Sequence, residues 1–552
     1  MRERIRRRLF PLIASVGLVV VGMFTTTWGS TLLGRSEWAL PYDLWGTLIA
    51  TTRLAHGNVG GIYAPPTGLI SLPGAAVILL PCAALISAFH LSLALPGPGN
   101  LHPAVWLLAG PYQIAIGCLP VFASDALAER LAVPRWTRGL LAVAAAGILW
   151  SVCARWGHPE DAVAIGLLLY AVLAQGNGRT ALAGWLAGAA VCVQPLVLLA
   201  LPIMLALLPW RRMPAFVVRA ALPSAVGLAA AAIANWHDTY RSVTSQPDSP
   251  VVNHPTVWTS LAPHIGGQNV AAGPFRLATI LLACLCALAI RRRWAAYLSQ
   301  QDSPREPTGA PVPEPRRTGE ILPADLLAAV LWWVAFTLAL RSFFEPVMVS
   351  YYPWPPMAVA LIPAATLGWR RLLAAGLLAG GLTAAAQGPS HAVWIWWAPI
   401  VAGLIVLLAL SWPRRPRAQA IYMRMGGETG VSVGRLAVTP SPEEVPRSRR
   451  FTHGARYSLA HRASSRRAAS QGPRAVPLTA SRRKSSAGES RQSSVTGTPS
   501  TSAARSATRW CDCEVRCSRS GDQALSSRRN RMDHRSTRSH PRASAIERRC
   551  ML

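Results

Sequence analysis

Residues 9–28 read LFPLIASVGLVVVGMFTTTW, twenty residues without a charge, directly behind the basic opening MRERIRRR of residues 1–8. At about 1.5 Å per helical residue such a run reaches about 30 Å, the thickness of a bilayer's hydrocarbon core. Signal-peptide cores are shorter, about 7 to 15 residues, and end at a small-residue cleavage site, so the stretch predicts an uncleaved first membrane helix. Its arginines then face the cytoplasm by the positive-inside rule.

Further apolar runs follow at about 69–95, 104–123, 139–155, 161–174, 181–208, 220–235, 275–290, 323–341, 352–368, 372–388 and 391–411. Backbone groups in lipid must be satisfied within the segment, and barrel strands are shorter and alternating, so these runs predict helices. The expected fold is all-α, a polytopic integral membrane protein with about 10–13 transmembrane helices. Composition agrees: only 14% of the chain is charged, against roughly 25% in a soluble domain, which excludes an ordinary soluble enzyme. Six of the ten cysteines lie inside apolar runs and none has the paired spacing of a disulfide framework.

Arginine clusters orient the second half. Arg211, Arg212 and Arg219, then Arg291 to Arg293, then Arg414, Arg415 and Arg417 all fit a cytoplasmic side. Residues 236–274 and 341–351 are then external. The loop 124–138 resists, because it follows three candidate spans and carries three arginines. Either one segment is re-entrant or the rule fails there, and the 14-residue run 161–174 is the first suspect, since it reaches only about 21 Å.

The chain divides into a basic cytoplasmic N-terminus (1–8), an N-terminal transmembrane region (9–290) with a first outer loop at 29–68, a Pro-rich cytoplasmic linker (291–322), C-terminal transmembrane helices (323–412) and an Arg/Ser-rich tail (413–552). The tail holds 29 basic and 9 acidic residues and so carries +20 of the total +31. It has few large apolar residues and is expected to be disordered. It reads as a segment that binds anionic lipid or nucleic acid, or as the product of a GC-rich gene read in a wrong frame or past its proper end. Cys511, Cys513 and Cys517 do not have zinc-site spacing, so no metal is assigned.

Charges beside apolar runs are costly and point to function. Asp43 follows Pro41 in an amphipathic stretch of the first outer loop, with Arg53 and His56 after it. It can serve as a general base, with Arg53 or His56 meeting a phosphate, or as a helix cap. In RWGHPED (155–161), His158, Glu160 and Asp161 stand at the mouth of a helix, where they can bind an anion-bearing substrate or cap. Arg341 and Glu345 lie one turn apart before Tyr351 and Tyr352. Arg341 can grip a phosphate, or the pair can be a simple salt bridge under an aromatic belt. No Walker loop, zinc motif or nucleophile elbow is present.

In order, YDLWGTLIATTRLAHGNVGGIYAPP (42–66), GHPEDAVAIGLLLYAVLA (157–174), TALAGWLAGAAVCVQPLVLLALP (180–202) and FEPVMVSYYPWPP (344–356) resemble the actinobacterial polytopic mannosyltransferases that use polyprenyl-phosphate mannose, in the type C glycosyltransferase superfamily. The resemblance covers about 10–410. It implies a GT-C-like fold and sugar transfer from a lipid phosphate to an outer-face hydroxyl of a lipid or glycan acceptor. It further implies Asp43 as base, and Arg341, Arg53 or His158 at the departing phosphate. No cofactor is expected, and the expected partners are the sugar donor, the acceptor and membrane lipids, not nucleic acid. The chain departs from the family at Gln194, where a lysine often precedes the proline. A transporter or flippase for a lipid-linked or small solute is the competing class.

Overall fold

The computed structural model describes residues 6–29, 38, 41–65, 69, 71–95, 97, 99–246, 248–250, 254–267, 269–301, 321–387 and 395–413. The expectations for the tail beyond Pro413 and for 302–320 lie outside the described residues. What is described is all-α, apart from a small antiparallel sheet in which β3 (Asn269–Ala271) lies between β1 (Asp248–Pro250) and β2 (His264–Gly266).

Among the described residues, six helical segments are long and apolar enough to cross a membrane: Leu9–Trp28, Trp106–Arg130, Arg135–Arg155, Trp210–Ala234, Gly273–Ala296 and Ala324–Phe344. Apolar segments at Gly74–Ala88, Thr180–Val193, Pro195–Ala206 and Trp397–Leu410 are shorter. Proline accounts for two of the short ones. The run 181–208 breaks into α8 (Thr180–Val193), a 3₁₀ turn (Pro195–Ala200) and α9 (Leu201–Ala206). Pro195 has no N–H to continue the helix, and Gln194 before it is forced extended, at φ −149° and ψ 117°.

The helices in order are α1 (Leu9–Met23), α2 (Tyr42–Ala55), α3 (Gly74–Ala88), α4 (Trp106–Gly117), α5 (Leu119–Arg130), α6 (Arg135–Trp150), α7 (Pro159–Gly176), then α8 and α9. After these come α10 (Met213–Ala234), α11 (Trp236–Ser245), α12 (Gly273–Gln301), α13 (Ala324–Phe344), α14 (Trp354–Thr366), α15 (Trp369–Ala386) and α16 (Trp397–Leu410). One core, with members from Leu18 to Leu408, joins the two regions that the sequence sets apart at 291–322. The linker begins later than expected: RRRWAAYLSQQ contains no Gly or Pro, so α12 continues through Gln301.

Contacts define two ends. At one, Arg8 and Arg138 both bind the buried Asp125 carboxylate, with Arg8 Nη2 2.7 Å from Glu129 and Arg138 Nε 2.8 Å from Asp125. Arg130 donates to Asn177 and to the Leu322 carbonyl, which places both on this end. The loop 124–138 therefore shares the end of the basic N-terminus. The suspect run 161–174 forms most of α7, 18 residues buried along nearly its whole length, whose two ends contact opposite ends of the bundle. The segment that stays at one end is α3. Ser71, just before it, donates to the Val193 carbonyl, and Leu93, just after it, accepts from Trp45 Nε1.

Close helix approach, rather than hydrophobic burial, holds such bundles together in lipid. α8 and α10 meet at Gly188, where a Cβ would lie 2.6 Å from the Arg219 carbonyl oxygen.

Candidate functional site

The opposite end contains a cavity of about 550 Å³ lined from seven stretches of sequence, from Tyr42 to Tyr352. Asp43 comes from the first turn of α2. Its helix begins after Pro41 with no side-chain cap, so the cap reading of Asp43 does not hold; its carboxylate goes elsewhere. Oδ2 lies 3.0 Å from His158 Nε2, a partner 115 residues away. The other ring nitrogen, Nδ1, lies 2.6 Å from Glu160 Oε1.

His158 reaches this place through two local devices. The Ser151–Arg155 segment at the end of α6 is a π turn, and Gly157 follows at φ +69°, a conformation costly for any residue with a Cβ. A Cβ there would also meet Pro41 at 2.7 Å. α7 then starts at Pro159, without a side-chain cap, so Glu160 and Asp161 sit in its first turn rather than capping it. Asp161 accepts from Gln194 Nε2 at 2.5 Å. Gln194 therefore contacts a carboxylate.

Arg341 and Glu345 form only a long pair, 3.7 Å. Glu345 is 2% exposed and is held instead by Arg276, whose Nε and Nη2 lie 2.9 and 2.5 Å from Oε1. The simple i,i+4 salt bridge thus gives way to a longer-range one. Arg341 lies over the Tyr352 ring, 3.7 Å from its centroid, and lines the cavity. Its guanidinium makes no hydrogen bond among the described residues. Tyr351 packs on the His158 ring at 4.1 Å, so the two tyrosines are walls of the cavity rather than an interfacial belt.

Arg53 and His56 do not join the site. Arg53 donates to the carbonyls of Gly61 and Ala64 and holds the turn after α2, while His56 contacts the Thr52 carbonyl one turn back. The remaining expected residues, Asp43, His158, Glu160, Asp161, Arg341 and Glu345, all line the cavity. Sequence reasoning missed Arg276. Its one signal is a lone charge in the first turn of the apolar run 275–290. Among the described residues no group of three or more His, Cys, Asp and Glu is arranged to hold a metal.

Burial works against a charged imidazole, yet the Glu160 charge, the hydrogen bonds to Asp43 and Glu160 and the nearby Asp161 outweigh it. His158 stays protonated well above the usual histidine range. Burial also favours neutral Asp43, but the hydrogen bond and charge of His158 prevail and draw its carboxyl below the ordinary value. Asp43 is thus an ionised carboxylate, 43% exposed, with Arg341 lining the same cavity. Leu196, Leu198, Leu199 and Ile280 add apolar lining to that cavity. Such a site can take a proton at one point, hold an anion at another and accommodate a lipid chain along that lining.

No protein-family model matches the chain, and no curated protein matches it.

Proposed function

We propose that the chain is a multi-pass glycosyltransferase of the cell membrane, moving mannose or a related hexose from a polyprenyl-phosphate sugar to an acceptor hydroxyl on the outer face. The observation that carries this reading is an ionised carboxylate and an arginine whose guanidinium makes no hydrogen bond among the described residues, in one cavity with apolar lining. The acceptor oxygen attacks the sugar's anomeric carbon while its proton passes to Asp43. The anomeric C–O bond breaks with its electron pair leaving on the phosphate, and Arg341 meets the growing charge with donors that need no rearrangement. His158 is the second cation beside the leaving phosphate. Glu160 holds His158 in place, and Glu345 holds Arg276.

The test is incorporation of label from radiolabelled polyprenyl-phosphate mannose by membranes containing the chain. Asp43→Asn is expected to lower transfer by about a hundred-fold to ten-thousand-fold at equal protein level. Equal transfer by both would remove Asp43 as base. No transfer by the unaltered chain, across hexose donors, would favour a non-catalytic carrier of lipid-linked solutes.

A further inference from the structure

On the transferase reading above, we infer that Glu160 is a positioning residue for Asp43, acting through His158. Glu160 is 7% exposed and sits at the start of α7, where His158 is its ion-pair partner. A carboxylate this buried is expensive unless its charge is used by a neighbour. Here the neighbour is an imidazole whose two nitrogens are both committed, Nδ1 at 2.6 Å to Glu160 and Nε2 at 3.0 Å to Asp43.

Three consequences follow from that line of atoms. The ring can neither rotate nor exchange tautomers without breaking a contact. Asp43 Oδ2 is fixed by a donor, while Oδ1 makes no hydrogen bond among the described residues and stays available for an incoming proton. The Glu160 charge also keeps the ring cationic, and a cationic ring keeps Asp43 ionised in mild acid. Removing that charge leaves the ring free to lose its proton, and Asp43 then takes one up at higher pH. The other ionisable groups turned toward this line are Asp161 on the same helix, Cys153 on the π turn, Tyr351 and Tyr352 after α13, and Arg341 on α13. Asp161 and Cys153 also feel the Glu160 charge, so the rate–pH profile is read together with the protonation state of the His158 ring itself.

The experiment uses the full chain in lipid nanodiscs. In Glu160→Gln the acid limb of the rate–pH profile should move up by about one unit or more, with KM for the donor little changed. Glu160→Asp, which keeps the charge, should restore the limb toward its original place. Added to His158→Gln, the Glu160→Gln change should move the limb no further, because the intermediary is gone. A fall in rate at every pH with an unmoved limb would overturn the positioning role and leave Glu160 as packing. A second readout is independent of transfer: ¹⁵N shifts of histidine-labelled chain, with His158 assigned by its loss in His158→Gln. The ring should remain imidazolium above the ordinary histidine range and should lose its proton at lower pH in Glu160→Gln. If the unaltered chain transfers no sugar, the transferase reading fails while these shifts still decide the coupling; a neutral His158 in the unaltered chain overturns it.

Discussion

Arg341 has a guanidinium that lies over Tyr352 and is 18% exposed, yet makes no hydrogen bond among the described residues. A cation so placed is worth most to an anionic group that arrives with the substrate. Arg341→Gln removes the charge while keeping a donor, and should cost about 2 kcal/mol, roughly a thirty-fold loss in kcat/KM for the phosphate-linked donor. Steady-state kinetics against donor concentration check it; an unchanged kcat/KM would mean that the phosphate sits elsewhere. The neighbouring Asp43 sets the pH dependence. Its carboxyl is held below the ordinary range, so the ionised base survives as pH falls toward that range and transfer declines only below it. Why Arg53 and His56 looked like partners of Asp43 is also a matter of single residues. Ten residues along a helix is a displacement of about 15 Å, far outside hydrogen-bond reach. His158 is 115 positions away in sequence and touches it. Residue identity made Asp43, His158 and Arg341 legible in the sequence, since charges beside apolar runs are rare; their pairing was not, because Arg276 and Glu345 are 69 residues apart and no spacing rule links them.

At the level of elements, the apolar runs fixed where helices form, while their ends were set by single residues that hydropathy averages away. Gln194 and Pro195 end α8 in the middle of one continuous apolar run, and the same break puts Gln194 beside Asp161. The run 69–95 is long enough to span, yet it yields a 15-residue helix whose two flanks contact the same end of the bundle. Helix pairing follows from where side chains are small enough for backbones to meet, and the α8–α10 contact at Gly188 is the clearest case. A Cβ at Gly188 would lie 2.6 Å from the Arg219 carbonyl oxygen and 2.8 Å from that of Ala220. Backbone cannot swing aside as a side-chain tip can. Gly188→Ala should therefore push the two helices apart at a cost of about 1–3 kcal/mol, visible as a lower Tm in detergent. Gly380→Ala is the control, since nothing lies within 4 Å of its added Cβ. That change should leave Tm equal or raise it, as glycine costs a helix interior about 0.5–1 kcal/mol relative to alanine. Equal losses at both positions would mean that intrinsic effects, not the α8–α10 contact, govern the change.

Over the whole molecule, the arginines that hydropathy left in conflict collect at one end. Arg8 and Arg138 share Asp125, Arg130 reaches Asn177 and Leu322, and Trp136 packs on Trp369 beside Arg370 and Arg371. Arg371 reaches the Leu410 carbonyl, Arg293 lies over Trp412, and Arg291 lies over Trp210. The cavity with Asp43, His158 and Arg276 is at the other end. With the bundle set in a membrane as proposed, the positive-inside rule puts the arginine end in the cytoplasm and the cavity outside, where a lipid-linked donor would meet its acceptor. Reassigning α3 to the outer side is what brings the 124–138 loop into agreement. Cysteines placed at exposed positions read this out directly. Ser260→Cys, in the segment before β2, should react with a membrane-impermeant maleimide on intact cells. Arg179→Cys, between α7 and α8, should react only after the membrane is opened. Labelling of both from outside would break the assignment of ends, and with it the placement of the site. Ending the chain after Trp412 should leave this labelling pattern and sugar transfer unchanged, because every residue lining the cavity precedes Pro353. A loss of transfer on truncation, with the labelling intact, would move the working part of the protein into the basic tail.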